Sequence, residues 1–393
     1  MPQYAKRLLT LPEYALGKFP EKKRALIARG VDVIDLGAGD ADLAPPPAAV
    51  ERLAAAARNP DMSRYGFGLG LVEYREAIAR FMSKRFGLTF DPFSEIVPLI
   101  GSKEGISHIA LAYVEEGDVT IIPEPGYLAY VGGTQLAMGD PYRYPLRADN
   151  GFLVDLDLVP ADVLNRAKIL YLNYPNNPTA AVAPRDYLES VVARCKEHDI
   201  LLVYDNAYSE MAFDGYEPPS IFEIDGARDV AIEFHSMSKT YNMTGWRCGW
   251  AVGAKELVGP LAKVKLFVDT GAFMAVQAAA ASALDNWDEF VPRNIAVFEE
   301  RRDAAVAAFR EHGFECESPK ATMYLWIALP EHVTSAEFAE FLMEEEGVIV
   351  LPGSSFGEGG EGFFRVSFIT SPERIREAAR RAGRVLTKLS VGA

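Results

Sequence analysis

Val230-Ala231-Ile232-Glu233-Phe234-His235-Ser236-Met237-Ser238-Lys239-Thr240, followed by Gly245-Trp246-Arg247-Cys248-Gly249-Trp250, is the stretch from which the rest of the chain is read. An apolar run of strand length, Val230–Phe234, empties into small hydroxyl residues that hold one lysine, and Arg247 comes eight positions later. The mouth of a sheet is an unusual place for a lysine, because its charged form loses hydration there. An amine poised in this way forms a Schiff base with an aldehyde, and pyridoxal 5'-phosphate is the commonest such partner. Ser236, Ser238 and Arg247 then suit the phosphate, the arginine as a two-pronged clamp. An isolated S-x-S-K reads more simply as a surface lysine in a serine-rich loop, so the rest of the chain has to decide.

Working outward, Ile96–Ile100, Val119–Ile122, Ile169–Asn173 and Ile200–Tyr204 have the same short, apolar or β-branched character. Amphipathic stretches lie between several of them. In Pro184–His198, for example, Tyr187, Leu188, Val191, Val192 and Cys195 recur at helical spacing. This alternation predicts an α/β fold with a mostly parallel sheet and helices on both faces. Cys248–Val252 reads as an edge strand of either direction. From about residue 285 the texture changes to a long helix over Asn294–His312, strands at Tyr324–Ala328, Val348–Leu351 and Phe363–Phe368, and helices over Ser335–Glu345 and Pro372–Leu389. Three parts are expected: an arm of residues 1–47 that also joins the smaller unit, a large αβα domain over 48–284, and a small α+β domain over 285–393.

The 393 residues carry a net charge of −15, which argues against a nucleic-acid or anionic-membrane surface. Cys195, Cys248 and Cys316 are too few and too scattered for a disulfide framework or a zinc site, so no metal is expected. No apolar run approaches a membrane span. Pro2, Pro12, Pro20 and many charges break the start, unlike a secretory signal, and the expected location is the cytoplasm.

Ligands of open α/β sheets sit at the carboxyl ends of the strands. After Ile96–Ile100 comes Gly101-Ser102-Lys103-Glu104, a glycine and free backbone N–H groups at a helix start, suited to a phosphate. After Val119–Ile122, Tyr127 stands on the proline-stiffened turn Pro123-Glu124-Pro125-Gly126, able to stack on a flat ring or simply to fill the turn. Asn173-Tyr174-Pro175-Asn176-Asn177-Pro178-Thr179 is a fixed turn that presents amides. After Ile200–Tyr204 comes Asp205-Asn206-Ala207-Tyr208. Asp205 is either a cap for the next element or a buried carboxylate that keeps a pyridine nitrogen protonated.

The N-Y-P-N-N-P-T, D-x-A-Y and S-M-S-K-T-Y-N-M-T-G-W-R-x-G elements, in this order, resemble the class I fold-type I pyridoxal phosphate-dependent aminotransferases. The resemblance covers nearly the whole chain and includes Gly37-Ala38-Gly39-Asp40, Tyr65-Gly66 and Phe364-Arg365-Val366. Asp32–Gly37, Gly101–Ile106, Ala212–Tyr216 and Phe234–Lys239 bring it closest to the LL-diaminopimelate aminotransferase branch. It implies an enzyme that moves an amino group from an L-amino acid to a 2-oxo acid. Lys239 would be the Schiff-base lysine and Asp205 the partner of the pyridine nitrogen. Tyr208 and Asn177 would contact the ring oxygen, and Tyr127 would stack on the ring. Ser102, Lys103, Ser236, Ser238 and Arg247 would surround the phosphate, joined by Tyr65 of a second subunit in a homodimer with shared sites. Arg365, with Gly39 and Asn177, would bind the substrate's α-carboxylate.

Other readings are weaker. Gly353-Ser354-Ser355-Phe356-Gly357 spells the hydrolase elbow, but the last of five histidines, His332, precedes its serine, whereas that fold needs one after it. A C–S lyase on the same fold differs only in eliminating from Cβ, and a cofactor-binding regulator would need a DNA-binding unit for which this acidic chain has no room. The donor amino acid is less legible. Where the aspartate-specific relatives carry a clamp arginine, this chain has Leu266-Phe267-Val268. Where the diaminopimelate branch has an acid after its tyrosine, it has Gly66-Phe67-Gly68-Leu69-Gly70, and Asp40-Ala41-Asp42 has alanine where proline is usual. The expected donor is therefore smaller or less polar, such as alanine, or a broader set, with glutamate and 2-oxoglutarate as one pair. If LL-diaminopimelate is preferred, Glu104 or Glu73 is left to hold its distal ammonium.

Overall fold

The structure, a computed structural model, describes residues 2–12, 19–67 and 70–391; Gly68 and Leu69 of the glycine-rich segment, and residues 13–18 of the arm, lie outside these. In chain order the strands are β1 (Ile34–Asp35), β2 (Ile96–Leu99), β3 (Val119–Glu124), β4 (Asp140–Pro145), β5 (Ala167–Leu172), β6 (Leu201–Asp205), β7 (Ala231–Ser236), β8 (Gly249–Gly253), β9 (Tyr324–Ala328), β10 (Val348–Ile349), β11 (Leu351–Pro352) and β12 (Phe363–Ser367).

Seven strands form one sheet in the order β2-β8-β7-β6-β5-β3-β4. Only β8 runs against the rest, pairing antiparallel with both β2 and β7. The stretch expected as an edge strand is thus an interior one, and β2 takes the edge. The reason is that Ile96–Leu99 pairs with β8 on the side away from β7, a long-range contact that the local apolar run does not disclose. β4 went unseen in the sequence because its residues Asp-Pro-Tyr-Arg-Tyr-Pro are polar and mostly accessible, as suits an edge.

Along the central strands successive side chains alternate between two apolar layers. Leu170, Leu202 and Tyr204 enter one layer, and Ile169, Val203 and Phe234 the other. This burial on both faces is why these strands read as unbroken apolar runs. The helices Ser102–Tyr113 and Arg185–His198 cover the sheet from opposite layers, as Ile106 and Leu188 show.

A third apolar cluster gathers β9, β12, the helix Pro372–Val391 and the long helix Trp287–Glu311. That helix starts seven residues earlier than its periodicity suggests and runs through Pro292, which forgoes one i→i−4 hydrogen bond inside it. β12 pairs antiparallel with β9 and with β11, placing Arg365 opposite Trp326 and Leu351. β1 adds in parallel to β10, and Ser367 N–H donates to Leu36 O at 2.7 Å. The early segment 34–39 is thereby fastened to the C-terminal layer and carried over the carboxyl edge of the large sheet. Among the described residues no helix is long and apolar enough to cross a membrane.

Candidate active site

The carboxyl ends of β2, β3, β5, β6 and β7 open on one cavity of about 250 Å³, which residues from the segment 37–39, β9 and β12 line from the other side. The cavity brings together Lys239, Asp205 and Tyr208 with Ser102, Lys103, Tyr127, Asn177, Ser236, Ser238, Arg247, Gly39 and Arg365. Tyr65 is not among its lining residues. Its side chain is 73% exposed, in a separate surface hollow with Arg64 and Phe67.

The basic end begins at the helix Ser102–Tyr113, whose N-cap Gly101 has φ 73°. A Cβ on Gly101 would strike Nη2 of Arg247, so only glycine allows the guanidinium to lie against the helix start. Arg247 itself adopts φ 55°, a conformation that long side chains seldom take, and donates to Thr244 O at 2.8 Å. Ser236 ends β7 and its hydroxyl accepts from Ser238 N–H at 3.2 Å. The helix dipole, two serines and the cations of Lys103 and Arg247 make an anion cup. Lys239 follows in the one-turn helix Met237–Thr240, and its ammonium donates to Gly39 O.

The acidic end is Asp205, the last residue of β6 and buried. Its Oδ2 accepts from Tyr130 OH at 2.9 Å, while Oδ1 is buried with no donor. Burial pushes this carboxyl up to about 6, against the opposing pull of Tyr130, the Ala207 N–H and the nearby His235. The wall on the β3 side is Tyr127, with the Lys103 ammonium 5.9 Å from its ring centre. On the β5 side, Asn173 donates to Asp205 O at 2.7 Å and accepts from Asn177 N–H at 2.8 Å, holding a loop in which Tyr174–Pro175 and Asn177–Pro178 are cis. Asn177 Oδ1 accepts from Arg365 Nη1, and Gly37 O from Arg365 Nη2, both at 2.7 Å.

These groups fit pyridoxal phosphate end for end. The orphaned Oδ1 of Asp205 matches a protonated ring nitrogen, the cup matches a phosphate, and Lys239 matches the aldehyde between them.

Sequence reasoning missed two contributors. Tyr130 lies one helical turn beyond Tyr127, a spacing that could have marked it as facing the same way. Tyr324, whose hydroxyl is 2.9 Å from that of Tyr208, gave no signal within an ordinary apolar strand. Ser355 of the hydrolase-like pentapeptide borders the cavity, yet among the described residues no histidine lines it. Glu104 is engaged by Lys265 at 2.8 Å, His108 at 2.8 Å and Ile100 N–H at 3.1 Å. Glu73 is paired with Arg52 at 2.6 Å.

Comparisons with known proteins agree with this geometry. The family described as aminotransferase class I and II matches residues 31–381. A Moorella thermoacetica protein named LL-diaminopimelate aminotransferase is 46% identical over 387 residues, covering 98% of this chain and 99% of its own. An Aquifex aeolicus protein of the same name is 46% identical over 379 residues, covering 96% of this chain and 98% of its own. Among solved structures, substrate-bound BacF from Bacillus subtilis superposes with a TM-score of 0.93 at 34% identity, covering 98% of both chains. A single mutant of Thermus thermophilus aspartate aminotransferase gives 0.91 at 29% identity, covering 98% of this chain and 100% of its own.

Asp205 gives the cofactor-free protein a signed pH dependence. Its value of about 6 in the fold lies above the ordinary 3.8, so the folded chain keeps a proton that the unfolded chain releases between those values. The stability this proton contributes is present below the lower value and is lost as pH rises through the upper one, about 3 kcal/mol in all. Asp205→Asn should therefore raise the thermal midpoint of the cofactor-free protein near neutral pH, and the gain should shrink as pH falls toward about 4. Equal gains across that range, measured by calorimetry, would assign the effect elsewhere.

Proposed function

The chain belongs to the class I and II aminotransferases and is a pyridoxal phosphate-dependent enzyme, and on that premise we propose that it transfers the α-amino group of LL-diaminopimelate to a 2-oxo acid, with glutamate and 2-oxoglutarate as the partner pair. What carries the choice of donor is the name shared by relatives that match it end to end at 46% identity. A second reading, a smaller donor such as alanine, draws on one local observation. Gly66 and Phe67 bring no charge beside Tyr65, and Glu73 and Glu104 already hold Arg52 and Lys265. Mixing the holoenzyme with single amino acids and following the loss of the cofactor's visible band separates the two. Conversion by LL-diaminopimelate at least about tenfold faster than by alanine or aspartate supports the first reading; the reverse order supports the second.

When bound, the cofactor supplies an electron sink for the charge left on substrate Cα. Asp205 Oδ1 would keep the ring nitrogen protonated, and the anion cup would hold the phosphate. Arg365 turns its fork from Gly37 and Asn177 to the substrate carboxylate, fixing the direction of the Cα–H bond. Lys239 would take and return the Cα proton. Lys239→Ala should abolish the visible band of the lysine-bound cofactor and slow single-turnover transfer by a factor on the order of a thousand or more. Arg365→Lys keeps the charge but loses the fork, so amino-acid KM should rise while cofactor retention stays. A variant at Lys239 with native spectrum and rate, or one at Arg365 with native KM, would remove the corresponding role.

The reading includes a two-fold homodimer in which Tyr65 reaches the partner's phosphate, and a cytoplasmic location consistent with three free thiols. What supports the dimer is the exposure of Tyr65, Phe67 and Phe273 together with Phe267, which is 87% accessible. Hybrids of Tyr65→Phe and Lys239→Ala subunits test it. If Tyr65 acts across the interface, one site of each hybrid is intact and co-refolding regains activity; if it acts within its own chain, both sites carry a lesion and nothing is regained.

A further inference from the structure

With Glu73 on Arg52 and Glu104 on Lys265, the second ammonium of LL-diaminopimelate still lacks a partner. The acids of the early segment can be sorted by what already holds them. Asp35 accepts from Lys23 at 2.8 Å and from Gly37 N–H at 3.0 Å. Asp42 receives both arms of Arg301, at 2.6 and 3.0 Å. Asp40, between them in the chain, is exposed, and among the described residues neither a hydrogen bond nor an ion pair engages it.

Its neighbour fixes where it stands. Gly39 lines the cavity, its carbonyl accepts from the Lys239 ammonium, and a Cβ added to it would strike the Tyr324 hydroxyl. Tyr324 is the diagonal neighbour of Arg365 across the β9–β12 pair, and the guanidinium lies over its ring, 4.1 Å from the centre. Burial pushes the Tyr324 phenol up, Lys239, Arg365 and Tyr208 pull it down, and Asp40 opposes that pull from the cavity lip. Asp40 thus follows directly on the short span where the clamp and the amine meet. The reach is right as well. In its proposed role Lys239 touches the proton on substrate Cα, and it donates to Gly39 O, so Cα lies beside residue 39. The next residue along the chain is about 3.8 Å away, and its carboxylate extends further. The distal ammonium of an extended diaminopimelate lies about 6 Å from its own Cα, for bonds of about 1.5 Å.

We propose that Asp40 is a specificity-determining residue that receives the distal ammonium of the donor. The proposal rests on the reading of LL-diaminopimelate as that donor and of Arg365 as the clamp. The two ends of the substrate then meet opposite charges, a guanidinium for the carboxylate at the reacting centre and a carboxylate for the amine far from it. Asp40 gives up no contact within the protein to make this one. A donor of the same length without the second amine gains nothing from it. The acid comes from the early segment and not from the loop after Tyr65, which reads Gly66-Phe67-Gly68-Leu69-Gly70.

The test compares LL-diaminopimelate with L-2-aminopimelate, the same chain without the distal amine, in single-turnover conversion of the holoenzyme followed by loss of the visible band. The wild type should convert LL-diaminopimelate about tenfold more efficiently. In Asp40→Asn the two should converge to within about twofold, while Asp40→Glu, which keeps the charge, should retain a preference of at least about threefold. No preference in the wild type, or one that survives intact in Asp40→Asn, overturns the assignment. If the wild type converts neither compound faster than alanine, the donor reading fails instead, and lysine against norleucine then decides Asp40, since these two differ by a terminal ammonium at the same reach. A lysine preference lost in Asp40→Asn sustains the site. Equal conversion of lysine and norleucine by the wild type, or a preference that the substitution leaves untouched, overturns it.

Discussion

A carboxylate buried before its hydrogen bonds are complete is the constraint on which the cavity depends. Asp205 ends a central strand, with β5 and β7 on either side, so its side chain is buried and faces only the cavity. Burying Oδ1 without a donor costs stability, which a donor supplied by a bound group recovers. The rest of its shell is fixed to leave that one direction open. Tyr130 occupies Oδ2, and its ring is itself held by stacking on Tyr171 at 4.8 Å. With the cationic cup at the far end, the cavity is polarised, and a ligand that is acidic at one end and protonated at the other enters in a single orientation.

The cup is held in place by a second buried charge system. Lys265 is fully buried between Glu104, in the first turn of the phosphate-facing helix, and Asp269. Such a cluster adds little net stability, because desolvation offsets the attraction, but it fixes geometry. Asp269 also accepts from Gly271 N–H at 2.6 Å. The helix start is therefore tied to the segment between the exposed Phe267 and Phe273, the surface expected to meet a second subunit. The Glu104, His108 and Asp269 side chains lie close enough to suggest a metal site, but the ammonium of Lys265 already occupies the role a cation would have.

How much of this the sequence discloses depends on the range of each contact. The strand ends are local facts: an apolar run stops and a polar side chain follows, so Asp205, Ser236 and Lys239 were legible one by one, and parallel pairing then had to bring them together. The place of β8 inside the sheet was not legible, since either direction satisfies the same apolar run. β4 was hidden by the polarity its edge position demands. Tyr324 was hidden for a different reason: its meaning comes from a diagonal neighbour on β12 and a hydroxyl on the loop after β6, neither of which is near it in sequence. The residues after Tyr65 were read for what they lack, and a deficit in one loop says nothing about which acid elsewhere might serve.

The segment 37–39 shows why the catalytic and recognition halves cannot be tuned separately. Gly37 O holds one arm of Arg365 and Gly39 O holds Lys239, so a few residues of the chain's early part supply acceptors to both the clamp and the amine. The segment itself is fixed by β1 on β10 and by Ser367 on Leu36, that is, by the C-terminal layer and not by the large sheet. In the proposed role of Arg365, a substrate carboxylate competes with Gly37 and Asn177 for it, and the Gly37 contact it displaces is one that fastens the early segment to the cavity wall. Any change that loosens β1 from β10 would weaken both grips together, whereas the large sheet reaches Arg365 through Asn177 and carries Lys239 directly. Glycine at position 39 is what permits this sharing: with any side chain there, Tyr324 could not approach, and the clamp and the amine would be separated by the added carbon.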